Sequence, residues 1–362
     1  MTQRIVRRWN RCVLHRGGET RAFIREWFSE ESRRTFLLAG AGFDPRATLI
    51  SEELAQIAGG RISALYLRER RPNPTEELVR RAEGNIRTLL GFFPASSVKD
   101  IEIFAAADLA VVGGRNAADF ISGLSWSGIS DLVIDCSALS RAIIFPVVRT
   151  LLNMDGTPPN IHLLLNDQPA LDEAILTECA ERASAMHGFK GNLGLESTRQ
   201  SAVLWLPQLV PEQHAALAKI YAFMDPKPHD VCPILPFPSS NLRKPEQLID
   251  EYQTELTNAW DVDPRDVVFA DESNPVDLYR TILRIDDERR RVFEQIGGSL
   301  MVLSPIGSKL LSLGALMAAI DRDFPVVYVE ALNYKLKTDT VTMHDASRSL
   351  VHLWLRGDAY AS

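Results

Sequence analysis

Residues 300–319 read LMVLSPIGSKLLSLGALMAA. An apolar run ends at Ser304, a tight Pro305/Gly307 turn follows, and Ser308-Lys309 opens a segment of helical character. A strand that turns sharply into a helix sets the free N–H groups and positive dipole end of that helix at the turn, where an anion can be held. Ser308 adds a hydroxyl there and Lys309 a charge. The same residues also suit an ordinary strand–loop–helix corner with a solvated lysine, because many such turns carry Ser and Lys by chance.

Working outward, short apolar runs of strand type recur at 35–39, 62–67, 100–104, 131–135 and 161–165. Helical stretches alternate with them over 48–57, 75–90, 117–124 and 143–152. The irregular stretch 168–195 reads as mostly helical with a Gly-rich end. Strands then recur at 201–206, 231–235, 266–270, 300–303 and 326–329, with helices over 213–223, 246–258 and 275–293 and a last edge strand at 352–356. This alternation predicts an α/β fold, a parallel-sheet Rossmann-like architecture built as two halves or as one sheet with a large insertion. The expected division is an Arg-rich N-terminal arm over 1–34, a first half over 35–167, a connecting or inserted segment over 168–200, and a second half over 201–362. The sequence carries no internal repeat or long linker, which favours compact packing of the halves.

At 362 residues, 46% hydrophobic and 24% charged, the chain can bury a large core in more than one lobe. No apolar run approaches the roughly 20 residues of a membrane span. The N-terminus lacks the apolar core of a signal peptide, so a cytoplasmic protein is expected. Cys12, Cys136, Cys179 and Cys232 are scattered, which points to buried thiols rather than disulfides or zinc. None of the seven histidines pairs at metal-ligand spacing, no metal site is expected, and His162 reads as a strand residue. A net charge of −7 argues against a protein coated in duplex DNA but permits a local basic groove. Arg4, Arg7, Arg8, Arg11, Arg16, Arg21 and Arg25 precede the first convincing strand. They read either as an arm that touches nucleic acid or an acidic partner, or as a solvated lead-in whose Trp9, Phe23, Trp27 and Phe28 tuck onto the core.

In open α/β sheets, ligands bind beyond the carboxyl ends of the strands. Those positions carry Gly40, Gly42, Asp44 and Arg46; Arg68, Arg70 and Arg71; Asp135, Ser137 and Arg141; and Asn166 and Asp167. In the second half they carry Ser239, Ser240 and Asn241, then Asp271 and Glu272, then Ser304, Gly307, Ser308 and Lys309. The excess of Gly, Ser and Arg leans towards a phosphate-bearing ligand. Gly40-Ala41-Gly42 supplies two glycines of a dinucleotide fingerprint, but Pro45 stands where the third should be, which counts against NAD. A Walker A motif, HExxH and Gly-x-Ser-x-Gly are all absent from the sequence. Asp271 and Glu272 are the candidate catalytic carboxylates, as metal holders or general base. Against this, Asn274-Pro275 reads as a helix cap, a role in which the acidic pair also serves.

Ser304-Pro-Ile-Gly-Ser-Lys309, between a strand and the small-residue helix Leu310–Ala319, resembles the Thr-Gly-Gly-Thr-Lys turn of CRISPR-associated Rossmann-fold (CARF) sensor domains. Those domains bind cyclic oligoadenylates, as do the related SAVED sensors of bacterial antiviral systems. Gly40–Asp44 sits where that family has its other ligand-contacting loop. The resemblance implies that Ser308 and Lys309 meet ligand phosphates and that the first loop meets a base or ribose. It implies a nucleotide or cyclic oligonucleotide ligand, a protein partner or homo-oligomer, and a role as sensor or accessory subunit in antiviral defence. Pro305-Ile306 replaces one Gly of the motif, and the two motifs lie further apart than in a compact CARF domain. Two other classes fit the residues. One is a metal-dependent enzyme acting on a nucleotide or phosphorylated metabolite through Asp271 or Glu272; the other is a scaffold subunit that docks through its Arg-rich arm.

Overall fold

The structure, a computed structural model, describes residues 7–194, 201–337 and 350–360. The chain divides into two units. The first comprises Arg11–Glu178 with Ala331–Ser362, and the second Met1–Asn10 with Cys179–Glu330.

The first unit opens with β1 (Val13–Arg16), α1 (Gly18–Ser29), β2 (Thr35–Gly40) and α2 (Leu49–Ala58). It continues with β3 (Ile62–Arg70), α3 (Glu76–Phe92), β4 (Ala95–Glu102) and α4 (Gly113–Ser122). Then come β5 (Asp131–Asp135), α5 (Arg141–Asn153), β6 (Asn160–Asn166) and α6 (Pro169–Ala174). Strand β7 (Ile175–Ala185) carries the chain into the second unit. There follow β8 (Ala202–Pro207), α7 (His214–Phe223), β9 (Asp230–Val231), β10 (Ile234–Pro236) and α8 (Lys244–Glu251). Next are β11 (Val268–Ala270), α9 (Pro275–Phe293), β12 (Ser299–Ser304) and α10 (Lys309–Arg322). Strand β13 (Val327–Leu336), which pairs with β7, leads back, and β14 (Leu350–Arg356) closes the first unit.

The first unit's sheet runs β1-β14-β6-β5-β2-β3-β4. The five strands from β6 to β4 are parallel. Counted in chain order, they give the doubly wound arrangement 3-2-1-4-5. Strand β14 adds antiparallel to β6, and β1 antiparallel to β14. The inner strands β2 and β5 are apolar along most of their length because both faces are covered, with Leu37, Leu38, Val133 and Ile134 all fully buried, whereas the edge strand β4 is polar and largely exposed. Ile24 and Phe28 of α1, Ile50 and Leu54 of α2 and Leu89 of α3 join the same core as Leu37 and Tyr66.

The second unit repeats the order on a smaller scale. Strands β12, β8 and β9 are parallel neighbours, and so are β10 and β11. Parallel bridges from Gln208 to Ile234 and from Leu303 to Val326 continue the ladder on either side. Read across, β11, β9/β10, β8, β12 and the start of β13 again follow 3-2-1-4-5. Trp205, Leu217, Ile220, Tyr252, Trp260 and Val302 form its core, with Trp205 and Trp260 edge to face at 5.1 Å. Helices α9 and α10 pack so closely that a Cβ on Gly314 would overlap the Pro275 carbonyl oxygen. The small residues of α10 follow from that approach.

Three expectations are corrected, and of the two readings of the Arg-rich stretch the lead-in that tucks onto the core is the one seen. The irregular stretch 168–195 reads as mostly helical with a Gly-rich end, yet among its described residues α6 is the helix and Ile175–Ala185 is a strand. Pairing with β13 overrides local propensity there. Strand 231–235 is split into β9 and β10 around Pro233, which has no N–H to give the ladder. Strand 352–356, read as an edge of the second half, lies inside the first unit's sheet between β6 and β1. Much of the Arg-rich stretch is built into the fold as β1 and α1, with Phe28 buried; Trp9 of the second unit is buried too. Arg21 pairs with Glu53 at 2.7 Å and Arg7 with Asp287 at 2.7 Å; Arg4 lies outside the described residues.

Candidate functional site

In a sheet of this order the connections diverge at the carboxyl ends of strands 1 and 4, which opens a crevice. In the first unit this point lies between β2 and β5. Gly40 ends β2, and a Cβ there would stand 2.8 Å from the Ala138 carbonyl carbon and 3.0 Å from Leu139 N. The loop after β5 passes directly over Gly40, so the glycine is a steric requirement with or without a ligand. Gly42 has open space at the same test.

Asp44 then starts the single-turn 3₁₀ helix Pro45–Thr48 by accepting from Arg46 N. The Arg46 side chain folds back onto it, donating from Nε to Asp44 Oδ1 at 3.0 Å and from Nη2 to Asp44 Oδ2 at 2.7 Å. Nη2 also reaches Asp172 Oδ1 of α6 at 2.7 Å. Arg46 is only 1% exposed. Burial alone would pull its pKa down, but the two carboxylates outweigh this and hold it above its ordinary value. Asn85 of α3 donates to the carbonyls of Gly42 and Asp44 at 2.8 and 3.0 Å. The loop is therefore anchored by its own side chains.

Further groups line this edge. Arg71 pairs with Glu69 at 2.8 Å and lies over the Tyr334 ring, 5.1 Å from its centroid; Phe43 meets the same ring at 5.4 Å. Glu69 accepts from Ser140 N at 2.7 Å, at the start of α5. Asp135 accepts from Ser137 N at 2.8 Å, and Ser137 Oγ from Asn166 N at 2.9 Å. Burial pulls the Arg141 guanidinium below its ordinary value, with Asp172 and Tyr334 opposing. Three guanidiniums (Arg46, Arg71 and Arg141) thus stand among four carboxylates (Asp44, Glu69, Asp135 and Asp172). That balance suits a closed ion-pair network better than a seat for a polyanion.

In the second unit the equivalent point lies between β8 and β12. Gln208, just after β8 and 2% exposed, bridges it. Its Oε1 accepts from Gly307 N at 3.0 Å and its Nε2 donates to the Leu311 carbonyl at 3.3 Å. A Cβ on Gly307 would overlap that Oε1. Ser304 is buried and accepts from Trp205 Nε1 at 2.9 Å. Ser304 and Gly307 are thus framework. Ser308 is the N-cap of α10, its Oγ accepting from Leu311 N at 3.2 Å, and Lys309 is the first residue of this 14-residue helix. Both are half-buried.

The remaining candidates follow β10 and β11 in the same unit. Ser239 Oγ donates to the Asn241 carbonyl, and Asn241 Oδ1 accepts from Arg243 N at 3.0 Å. Ser240 N points at Glu272 Oε2 at 3.4 Å. Glu272 pairs with Lys244 at 2.7 Å, and Asp271 accepts from Ser273 N at 2.9 Å. Asn274 caps α9 through Val276 N, with Pro275 in the first turn, as the sequence predicts. Among the described residues, no group of three or more His, Cys, Asp or Glu could hold a metal.

Of the sequence-predicted site residues, Gly40, Gly42, Asp44 and Arg46 belong to the first unit. Ser239–Asn241, Asp271, Glu272 and Ser304–Lys309 belong to the second. Asn85, Asp172, Gln208 and Tyr334 are additional members. Gln208 stands just past a predicted strand and meets the rule that found the others; Asn85, Asp172 and Tyr334 arrive from helices and a strand tail, where that rule does not look.

No protein-family model matches the chain, and no curated protein matches it. Among solved structures, the cytoplasmic domain of a prokaryotic cation chloride cotransporter aligns with 83% of this chain and 96% of that one, at 12% identity and a TM-score of 0.25.

Proposed function

We propose that this protein binds a nucleotide or another phosphate-bearing ligand and acts as a sensor or accessory subunit of a bacterial antiviral defence system. The observation that carries the reading is the place of Ser308 and Lys309 at the cap and first residue of α10, beyond the fourth strand of a doubly wound sheet. A lysine at that end is repelled by the helix dipole, at a cost of about 0.3–1 kcal/mol. An anion held there would be attracted by both, and the Ser308 hydroxyl can donate to it while accepting from Leu311 N. The resemblance of the turn to CARF and SAVED sensors supplies the nucleotide class and the defence setting. In the first unit, Arg46 is committed to Asp44 and Asp172, so the reading rests on the α10 turn alone.

Native mass spectrometry of protein purified from its own host tests the reading: a retained nucleotide is expected. A stable complex with a partner protein and no small ligand would favour a scaffold instead. The enzyme alternative is tested at Asp271 and Glu272, which serve a turn and an ion pair. Asp271→Asn and Glu272→Gln are expected to leave ligand affinity within a few-fold, with about 1 kcal/mol of stability lost in each. The check is hydrolysis of linear and cyclic nucleotides with Mg²⁺ or Mn²⁺. Turnover that disappears with either substitution would establish a metal-dependent enzyme.

A further inference from the structure

The first unit contains a hydrogen-bonded file of three histidines outside the sites above. His15 of β1, His352 of β14 and His162 of β6 lie across three neighbouring strands, with His15 directly opposite His352. His15 Nδ1 lies 2.9 Å from His352 Nδ1, His352 Nε2 lies 3.0 Å from His162 Nδ1, and His162 Nε2 lies 3.2 Å from Asp131 Oδ1. An ionised carboxylate can only accept. Reading back from Asp131 therefore fixes every ring proton of a neutral file: His162 and His352 carry theirs on Nε2, and His15 on Nδ1. One set of tautomers satisfies all three contacts, and all three point the same way.

His162, His352 and Asp131 are fully buried, whereas His15 is half-buried and forms the outer end. Phe23 of α1 stacks on His352 at 4.1 Å and on His15 at 4.9 Å, and Trp354 packs against His162 at 4.9 Å. The charged groups facing the file are few. Glu19 of α1 acts on His15, while Arg33 and Asp358 act on His162. Asp131 also accepts from Trp27 Nε1 at 2.8 Å and Ser130 Oγ at 2.6 Å, and Arg33 approaches it to 3.4 Å.

We propose that His15, His352, His162 and Asp131 form a pH-sensitive clasp that holds the antiparallel strands β1 and β14 on the parallel sheet at neutral pH and loosens them in mild acid. In that arrangement both nitrogens of His162 and of His352 are engaged, and the nitrogen left to take a proton is His15 Nε2 at the half-buried outer end, so the closed file disfavours charge on its two buried rings. Burial holds all three rings below the ordinary histidine value, and for His352 the two neighbouring rings add to the effect. Opened strands expose histidines that protonate near their free value, about 6.5. The clasp's contribution is thus complete above about pH 6.5 and is lost as pH falls from there towards the lower values of the closed form. Each proton taken up on opening multiplies the open population by about ten per pH unit. Hydrogen bonds from His162, Ser130 and Trp27 overcome the burial of Asp131 and hold it below its ordinary value, so its own loss comes in a lower window, under about pH 4.

Hydrogen exchange of the full chain, corrected for intrinsic rates, tests this. Amides of Val13–Arg16 and Leu350–Arg356 should open at least about tenfold more at pH 5.5 than at pH 7.5, while those of β2 and β3 change less than about twofold. His352→Phe keeps a stacking ring and removes the central nitrogens, so it should abolish the pH dependence. Should that variant fail to fold, ring-nitrogen NMR of the wild type decides. Neutral rings at pH 6, with the tautomers given above, support the clasp. Exchange independent of pH, a pH dependence that survives His352→Phe, or three rings titrating independently near 6.5 would each overturn it.

Discussion

Asp44→Ala should lower the stability of the first unit by about 3–5 kcal/mol, the scale of a buried ion pair that loses one partner. Arg46 is 1% exposed and would keep only Asp172, with its Nε left unsatisfied. In a unit of this size the loss corresponds to a fall in melting temperature on the order of 10 °C. Asp44→Asn keeps an acceptor and should cost less. Combining Asp44→Ala with Arg46→Met removes both charges and should recover part of the loss, because the cost lies in the orphaned guanidinium rather than in the missing attraction. Thermal melts of the four proteins check this. An unchanged melting temperature for Asp44→Ala, together with weakened ligand binding, would make Asp44 the ligand contact that its place after β2 suggests.

The inner parallel strands were legible because burial on both faces leaves an unbroken apolar run, as in Thr35–Gly40 and Asn160–Asn166; the edge strand β4, read as 100–104, begins at Ala95 and is polar and largely exposed, so it leaves no such run. Helix α9 was legible to the residue because Asn274 and Pro275 mark its start. Strand β7 was not, because its exposed positions carry Glu and Arg and its pairing with β13 is set by residues far along the chain. Nor was β1; β14 was legible as a strand at 352–356, but its place between β6 and β1 was not, because that pairing joins segments far apart in sequence. The shared 3-2-1-4-5 order of the two units leaves no repeat in the sequence, since the direction of each crossover, rather than residue identity, builds it.

The sites divide in the same way. Asp44-Pro-Arg46 has a twin in Asp263-Pro-Arg265, where Arg265 again donates from its backbone N and from Nε to Asp263 Oδ1, at 2.9 and 3.0 Å. There the hydrogen bonds from Arg265 bring Asp263 down to about 2 on an exposed turn. The pairing is therefore a property of the Asp-Pro-Arg sequence, and could be read locally. What could not be read is that one copy is exposed and the other sealed, because Asp172 and Asn85 arrive from distant parts of the chain. The histidine file is hidden for the same reason: His15, His162 and His352 are far apart in sequence and meet only through the strand order.

Lys309→Ala should weaken a phosphate ligand by about 1–3 kcal/mol, roughly 5–150-fold in affinity, as for a lost charge-assisted hydrogen bond. The Ser308 cap and the packing of α10 do not depend on the Lys309 ammonium, so the melting temperature should change little. Gly307, Gln208 and the Ser308 cap are untouched by the change, so the turn keeps its shape. Calorimetric titration of the wild type and Lys309→Ala with the same set of linear and cyclic nucleotides measures this directly. A wild type that binds one of them, and a variant that melts at the same temperature yet binds it at least about fivefold more weakly, is the expected result. Equal affinities in the two proteins would contradict an anion site at the α10 turn.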